Sequence, residues 1–533
     1  MAHDPERRRF VLSAAAAAGI GAAGRAPAAT AGDAGGPPLA APASLAAASL
    51  AAASLAAASL AAASLADLGA SEAIAHMSRG ELACERYAQA LLDRCAQKRA
   101  LNAFITLDPA RVLEQARARD GERRAGAKPG ALFGLPIPVK DSVNTRDYPT
   151  TGGTPALRAF RPQADAPVVA ALKAAGALVL GKTNLHELSY GWTSNNLAFG
   201  AVRNPYDHTR IPGGSSGGTA AAIAARLAPL GIAEDTEGSI RVPAAFCGIA
   251  GFRPTTGRYS TEGCVPISPL FDQAGPHARS VADLVLFDSV VTREAPIAPA
   301  ASLCGVRLGV ARDYWFAGLD PEVERIAAGA LRRLEDAGAV LVEAPFPGVA
   351  SLVDRATDQI QNHDVRFALA RYLATYGAPV DLKQLIEQAS PDIQAVFQSY
   401  VLPGGENFVT ETAYMAARDR YVPELKRAYR DYFAHHRLDA MVFPATRVAA
   451  PLIGEETTLD IAGHAVPFED AVARNIAPGS TAGVPGLVLP AGLTAGGLPV
   501  ALEFDAPAGS DRSLLSVAVP LERSLGRIAA PPA

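Results

Sequence analysis

From Asp67 onward, apolar and polar positions follow two alternating periods. Apolar residues recurring at three and four predict amphipathic helices over 70–97 and 108–124. A short apolar strand at 137–139 comes next and ends at Lys140-Asp141. A helix over 164–175 leads to a strand at 177–180, which ends at Gly181-Lys182. The alternation returns as strand 306–311, helix 321–337, strand 339–343, strands near 440–443, 486–490 and 499–504, and a final helix over 512–524. Strands interleaved with helices predict an α/β protein, a large mixed, twisted β-sheet covered by helices on both faces. Residues 350–435 differ: they are helical in pattern, rich in charge and without a strand signal. They predict a helical, cap-like insertion, which on an α/β scaffold shapes a substrate pocket. Nothing in 67–527 has linker composition, so this stretch reads as one large domain.

The chain begins differently. Arg7, Arg8, Arg9, Phe10 and Val11 open an apolar stretch, and Ala29-Thr30-Ala31 offers a small-residue cleavage site. Residues 1–31 therefore read as a twin-arginine signal peptide, and the expected location is periplasmic or secreted. Over 32–66 the unit SLAAA recurs, with Ser at 44, 49, 54, 59 and 64. A period of five matches neither helix nor strand and forms no continuous apolar face. This segment reads as a low-complexity spacer.

Composition narrows the function classes. Apolar residues make up 49% of the 533 and net charge is −4, which excludes a wholly disordered chain. Lys and Arg total 49 against 53 Asp and Glu, so no basic surplus points to nucleic acid. Beyond residue 66 no apolar run approaches the ~20 residues of a spanning helix, so no integral membrane segment is expected after signal removal. The five cysteines (84, 95, 247, 264, 304) form no CxxC pair, and the nine histidines include no HExxH. Neither a metal nor a cofactor is expected.

The densest chemical signal is Pro212-Gly213-Gly214-Ser215-Ser216-Gly217-Gly218, followed at once by an Ala-rich helix. Such a loop feeds backbone N–H groups and two hydroxyls into a helix N-terminus, which suits an anion or a polar transition state. Gly213–Gly217 also satisfies G-x-S-x-G, but that elbow needs a strand directly before the Ser. Asn204–Pro212, with two prolines, is loop chemistry, so the match is taken as accidental. Twenty-four residues after Ser215 comes a second polar knot, Glu234-Asp235-Thr236-Glu237-Gly238-Ser239-Ile240-Arg241.

The run GGSSGGTAAAIAARLAPLGIAEDTEGSIRVPAAFCGIAGFRPTTG over 213–257 resembles the defining stretch of the amidase signature family. Leu135-Pro136-Ile137-Pro138-Val139-Lys140-Asp141 is similar to its lysine strand, and the likeness covers roughly residues 70–525. The resemblance implies Ser239 as nucleophile, Ser215 as a bridging serine on a cis peptide, and Lys140 as base. It implies an oxyanion hole from the backbone N–H groups of Thr236, Glu237, Gly238 and Ser239, with Ser216, Asp235 and Arg241 supporting the loop. Physical chemistry agrees. A serine hydroxyl needs an adjacent proton acceptor, and burial beside an apolar strand depresses a lysine pKa. Ala233, Glu234 and Glu237 depart from the family, which more often has Gly, Thr and Gly there. An inward Glu237 carboxylate would oppose the oxyanion, so its side chain is expected to point away from the pocket.

Gly251–Thr255, Gly257-Arg258-Tyr259, Val265–Pro269, Arg474–Pro478 and Ala482–Leu487 resemble bacterial indoleacetamide and mandelamide hydrolases. That likeness implies a small-molecule amide substrate, a primary arylacetamide. Peptide amides, anilides, carbamates and polyamide oligomers stay open for an exported amidase. A non-catalytic binding protein of the same fold would be expected to have lost Lys140, Ser215 or Ser239, and all are present. An amidotransferase subunit would need partner subunits in the cytoplasm, against the leader. A homodimer is compatible with everything above. Trp192, Phe199, Phe271 and Phe316 are candidate pocket walls, Trp192 foremost because it lies just ahead of the serine motif.

Overall fold

A computed structural model describes residues 65–532, which lie in one compact unit. The expected leader and the expected spacer up to residue 64 fall outside the described residues. Eleven strands form the main sheet: β1 Phe104–Leu107, β2 Pro136–Lys140, β3 Leu178–Thr183, β4 Leu230–Asp235, β5 Ala250–Arg253, β6 Gln273–Ala278, β7 Arg307–Val310, β8 Val340–Glu343, β9 Ala440–Pro444, β10 Gly486–Leu493 and β11 Pro499–Asp505. Their spatial order is β1-β3-β2-β4-β6-β5-β10-β11-β9-β7-β8. The sheet is mixed: β2 runs parallel to β3 and β4, and β9 and β8 run parallel to β7, while β4, β6, β5, β10, β11 and β9 pair successively antiparallel. This is the expected α/β architecture.

Two local features have plain causes. Within the predicted 70–97 segment the chain forms two helices, Ala70–Arg79 and Cys84–Gln97, because Gly80 adopts φ +76° and ends the first. Pro138 has no N–H to give a central strand, and the β2–β3 register shifts between Ile137 and Pro138 to accommodate it.

The main core lies along the sheet, with Ile137, Val139, Leu230, Ile232, Phe252, Leu487 and Leu502 packed against flanking helices. The predicted insertion is helical throughout, opening with the long helix Val349–Tyr376 and closing with Val422–His436. It docks through its own apolar cluster, in which Val365, Leu369 and Phe397 meet Leu157, Phe160, Leu188 and Ile267. Burying a side chain of this kind is worth ~1.5–3 kcal/mol, so the cap is held as firmly as a core element. Among the described residues no helix is long and apolar enough to cross a membrane.

Candidate active site

Lys140 ends β2, between β3 and β4, and its side chain is wholly buried. Its Nζ lies 2.6 Å from Ser215 Oγ and 2.6 Å from Glu234 Oε1. Burial pulls the Lys140 pKa below the ordinary lysine value, and the Glu234 carboxylate resists that fall without cancelling it.

Ser215 sits in the loop that enters the helix Gly217–Ala224, on a cis Gly214–Ser215 peptide. No strand precedes it, so the strand-to-helix elbow of G-x-S-x-G is absent. A Cβ on Gly214 would meet the Thr193 backbone nitrogen at 2.7 Å, so the close approach of two loops demands glycine. The Ser215 carbonyl accepts from His186 N–H and Ser194 Oγ, both at 3.1 Å. Ser216 ties three segments together. Its N–H donates to the Ser239 carbonyl at 3.3 Å and its hydroxyl donates to the Glu234 carbonyl at 3.0 Å.

Ser239 follows β4 after a short turn and is 4% exposed. The turn is built around Asp235, which accepts from Gly238 N–H at 2.7 Å and Ile240 N–H at 2.9 Å. Arg241 donates to both Asp235 oxygens at 3.1 Å and to Glu503 Oε1 at 2.7 Å. Burial works against the Asp235 charge, yet the Arg241 and Arg253 guanidiniums hold its carboxyl well below the usual range. Asp235 and Arg241 thus clamp the turn.

That clamp alters the expected oxyanion hole. The Gly238 N–H is engaged by the Asp235 carboxylate. Among the described residues the N–H groups of Thr236, Glu237 and Ser239 have no protein acceptor. The Trp192 indole N–H donates to the Glu237 carbonyl at 2.7 Å and fixes that peptide's orientation.

Ser239 opens into a cavity of about 360 Å³. Tyr190 and Trp192 form one side, Thr236 and Glu237 the floor, and Asp358, Gln361, Asn362, Val396 and Tyr400 of the insertion the roof, with Glu469 at the edge. Of the four predicted aromatic walls, Trp192 lines this cavity and the others lie elsewhere. Phe199 packs beneath the Arg158 guanidinium. Phe271 is enclosed with Ala356, Ile360 and Val422, and Phe316 packs at the rim of the core under Arg312. Apolar packing claimed both.

The outward expectation for Glu237 fails. Its side chain is 8% exposed, lines the cavity, and accepts from Gln361 Nε2 at 2.8 Å. The expectation assumed a charged group. Burial, reinforced by the Asp358 charge, pushes the Glu237 pKa well above the carboxylate range, so a neutral acid can face the site.

Sequence reasoning missed Glu234 as a partner of Lys140, and it missed the roof. Asp358, Gln361 and Asn362 share one face of Val349–Tyr376 at three- and four-residue spacing. That polar stripe within a helix already expected to cover a pocket was the available signal. Among the described residues no group of three or more His, Cys, Asp or Glu could hold a metal ion.

The amidase family model matches residues 86–515. An indoleacetamide hydrolase of Agrobacterium vitis is 38% identical over 457 residues, covering 85% of this chain and 96% of that protein. A mandelamide hydrolase of Pseudomonas putida is 39% identical over 477 residues, covering 86% and 92%. Among solved structures, the native peptide amidase of Stenotrophomonas maltophilia is 31% identical, with a TM-score of 0.70 over 87% of this chain and 98% of that one. A buried lysine, two serine loops and a capped cavity thus occur on a chain that, by family match and identity, belongs to the amidase signature family and is an amidase acting on carbon–nitrogen bonds.

Proposed function

We propose that the protein hydrolyses a primary arylacetamide, of the indole-3-acetamide or mandelamide type, to a carboxylate and ammonia through an acyl-enzyme. The observation that carries this reading is the buried Lys140 Nζ, 2.6 Å from Ser215 Oγ, beneath a cavity onto which Ser239 opens. Neutral Lys140 takes the Ser215 proton while Ser215 takes that of Ser239, and the freed Ser239 oxygen attacks the amide carbon. The oxyanion accepts from the N–H groups of Thr236, Glu237 and Ser239. Collapse expels ammonia, which takes its proton from Ser215, and Lys140 restores that proton. Water then cleaves the acyl-enzyme by the same relay. The named activities of the Agrobacterium vitis and Pseudomonas putida relatives support this substrate class.

A second reading has its own support. Glu237, Asp358, Gln361 and Glu469 give the cavity several polar walls, and one structural neighbour is a peptide amidase. These favour a substrate with further hydrogen-bonding groups, such as a peptide amide, anilide, carbamate or polyamide oligomer. The twin-arginine pattern at Arg7-Arg8 supports export to the periplasm or beyond, where such scavenging takes place. The test is ammonia or amine release by purified protein from phenylacetamide, indole-3-acetamide, a peptide amide, an anilide and a carbamate. Arylacetamides turned over fastest sustain the first reading, and turnover confined to the others replaces it with the second. No hydrolysis of any amide would overturn both.

A further inference from the structure

We propose that Glu234 is a positioning residue for the reaction, holding Lys140 Nζ against Ser215 Oγ and supplying the negative partner for the ammonium formed when Lys140 accepts a proton. The inference rests on the reading of Lys140 as base. Its ground is geometric. Glu234 is 4% exposed, and its Oε1 lies 2.6 Å from Lys140 Nζ and accepts from Ser142 Oγ at 3.3 Å. The lysine amine is therefore pinned between one carboxylate oxygen and one serine oxygen, Ser215 Oγ, also at 2.6 Å. Glu234 is also one of the three positions where the signature stretch departs from its family's usual residues.

A buried lysine with no anion beside it is neutral but a poor proton acceptor, because the ammonium it must become is left unpaired in a low dielectric. Glu234 meets that need. Before the transfer the pair is Lys-NH2 with Glu-COO⁻. After it the pair is Lys-NH3⁺ with Glu-COO⁻, and the negative charge lost at the pair has appeared on the substrate oxyanion. No proton leaves the Ser239–Ser215–Lys140 relay.

Other titratable groups face this pair. Asp235 on the same strand and Cys264 act on Lys140 from nearby. His186, in the segment after β3, and His277, on β6, sense the lysine charge. Asp272, just before β6, is pushed up to about 7 by burial and by Glu234, and it accepts from Thr236 Oγ1 at 2.6 Å. Its ionisation near neutrality overlaps that of Lys140 in a pH profile.

The experiment is the pH dependence of kcat/KM for wild type, Glu234→Gln and Glu234→Asp, with thermal unfolding to confirm that each is folded. Glu234→Thr replaces the glutamine variant if that one fails to fold. Removing the anion should move the acid limb at least one pH unit lower and cut the plateau tenfold or more, with KM changed less than threefold. Glu234→Asp should return the limb toward wild type. The same displacement is expected in an Asp272→Asn background, where Asp272 has no proton to lose. An acid limb that stays in place when Glu234 is neutral, or a shift that disappears with Asp272→Asn, overturns the proposal. Lys140→Ala separates the two readings. Substantial activity in that variant removes the base itself, whereas an inactive Lys140→Ala beside an unmoved limb in Glu234→Gln removes only the role of Glu234.

Discussion

Replacing Glu237 by Gln tests how this site tolerates a carboxyl beside its oxyanion hole. The glutamine keeps the shape and can still accept from Gln361 Nε2, the bond made by Glu237 Oε2 at 2.8 Å. Burial and the Asp358 charge raise the Glu237 pKa, which favours the protonated form and lessens the charge that the substitution removes. Turnover of a neutral amide at pH 7 should therefore change by less than about threefold. The sign reverses at higher pH. Once Glu237 ionises, a carboxylate sits on the residue whose own N–H is proposed to face the oxyanion. At a separation of ~6 Å and an effective dielectric of ~20, the repulsion is ~3 kcal/mol, about two orders of magnitude in rate. Wild type should thus show a falling limb where Glu237 ionises, and Glu237→Gln should lose the fall. The assay is kcat/KM against pH with phenylacetamide, using ammonia release. A tenfold change at pH 7, or an alkaline limb that persists unaltered in Glu237→Gln, would refute the reasoning.

Further outcomes are expected. Ser239→Ala and Lys140→Ala should each abolish amide hydrolysis in folded protein, and Ser215→Ala should cripple it, because groups acting as one unit fail together; more than one tenth of wild-type turnover in Ser239→Ala speaks against the relay. Asp235→Asn removes the anion that the buried Arg241 and Arg253 share and frees the turn, so thermal unfolding should show a loss of ~3–5 kcal/mol together with lost activity. Chelators should leave the rate unchanged, and inactivation reversed by added zinc would point to a metallohydrolase. Arg7→Lys with Arg8→Lys should retain active enzyme in the cytoplasm with its leader uncut, checked by fractionation.

What the sequence disclosed follows the physics of each element. Strands such as β2, β7, β10 and β11 are aliphatic runs between turn residues and are readable as such. β6 is a central strand paired with both β4 and β5, yet it reads Gln-Ala-Gly-Pro-His-Ala and carries no strand signal at all. Its conformation comes from neighbours, since Gly275 lets it lie close over Phe252 and His277 Nε2 meets the Ile240 carbonyl at 2.7 Å. The positions of Lys140, Ser215 and Ser239 were legible because a motif fixes backbone and side chain together. Pocket walls have no such motif. Phe271 and Phe316 looked eligible for being aromatic, whereas the cavity is roofed by Asp358, Gln361 and Tyr400 of the insertion.

The two glutamates that depart from the family show why residue identity alone could not assign a charge. Glu234 lies near the end of β4 and Glu237 three positions on, in the turn that follows, and both are nearly buried. Glu234 faces the Lys140 amine at 2.6 Å. Glu237 accepts from the Gln361 amide, and burial with the Asp358 charge raises its pKa. On the proposed mechanism, a carboxylate beside Lys140 favours the ammonium that the reaction creates, whereas one beside the oxyanion hole would oppose the oxyanion created at the same moment. The fold separates these demands by presenting one glutamate to β2 and the other to the capped cavity. On the proposed mechanism, the end of β4 and the turn after it can carry two added carboxyls because one meets the Lys140 amine and the other the Gln361 amide.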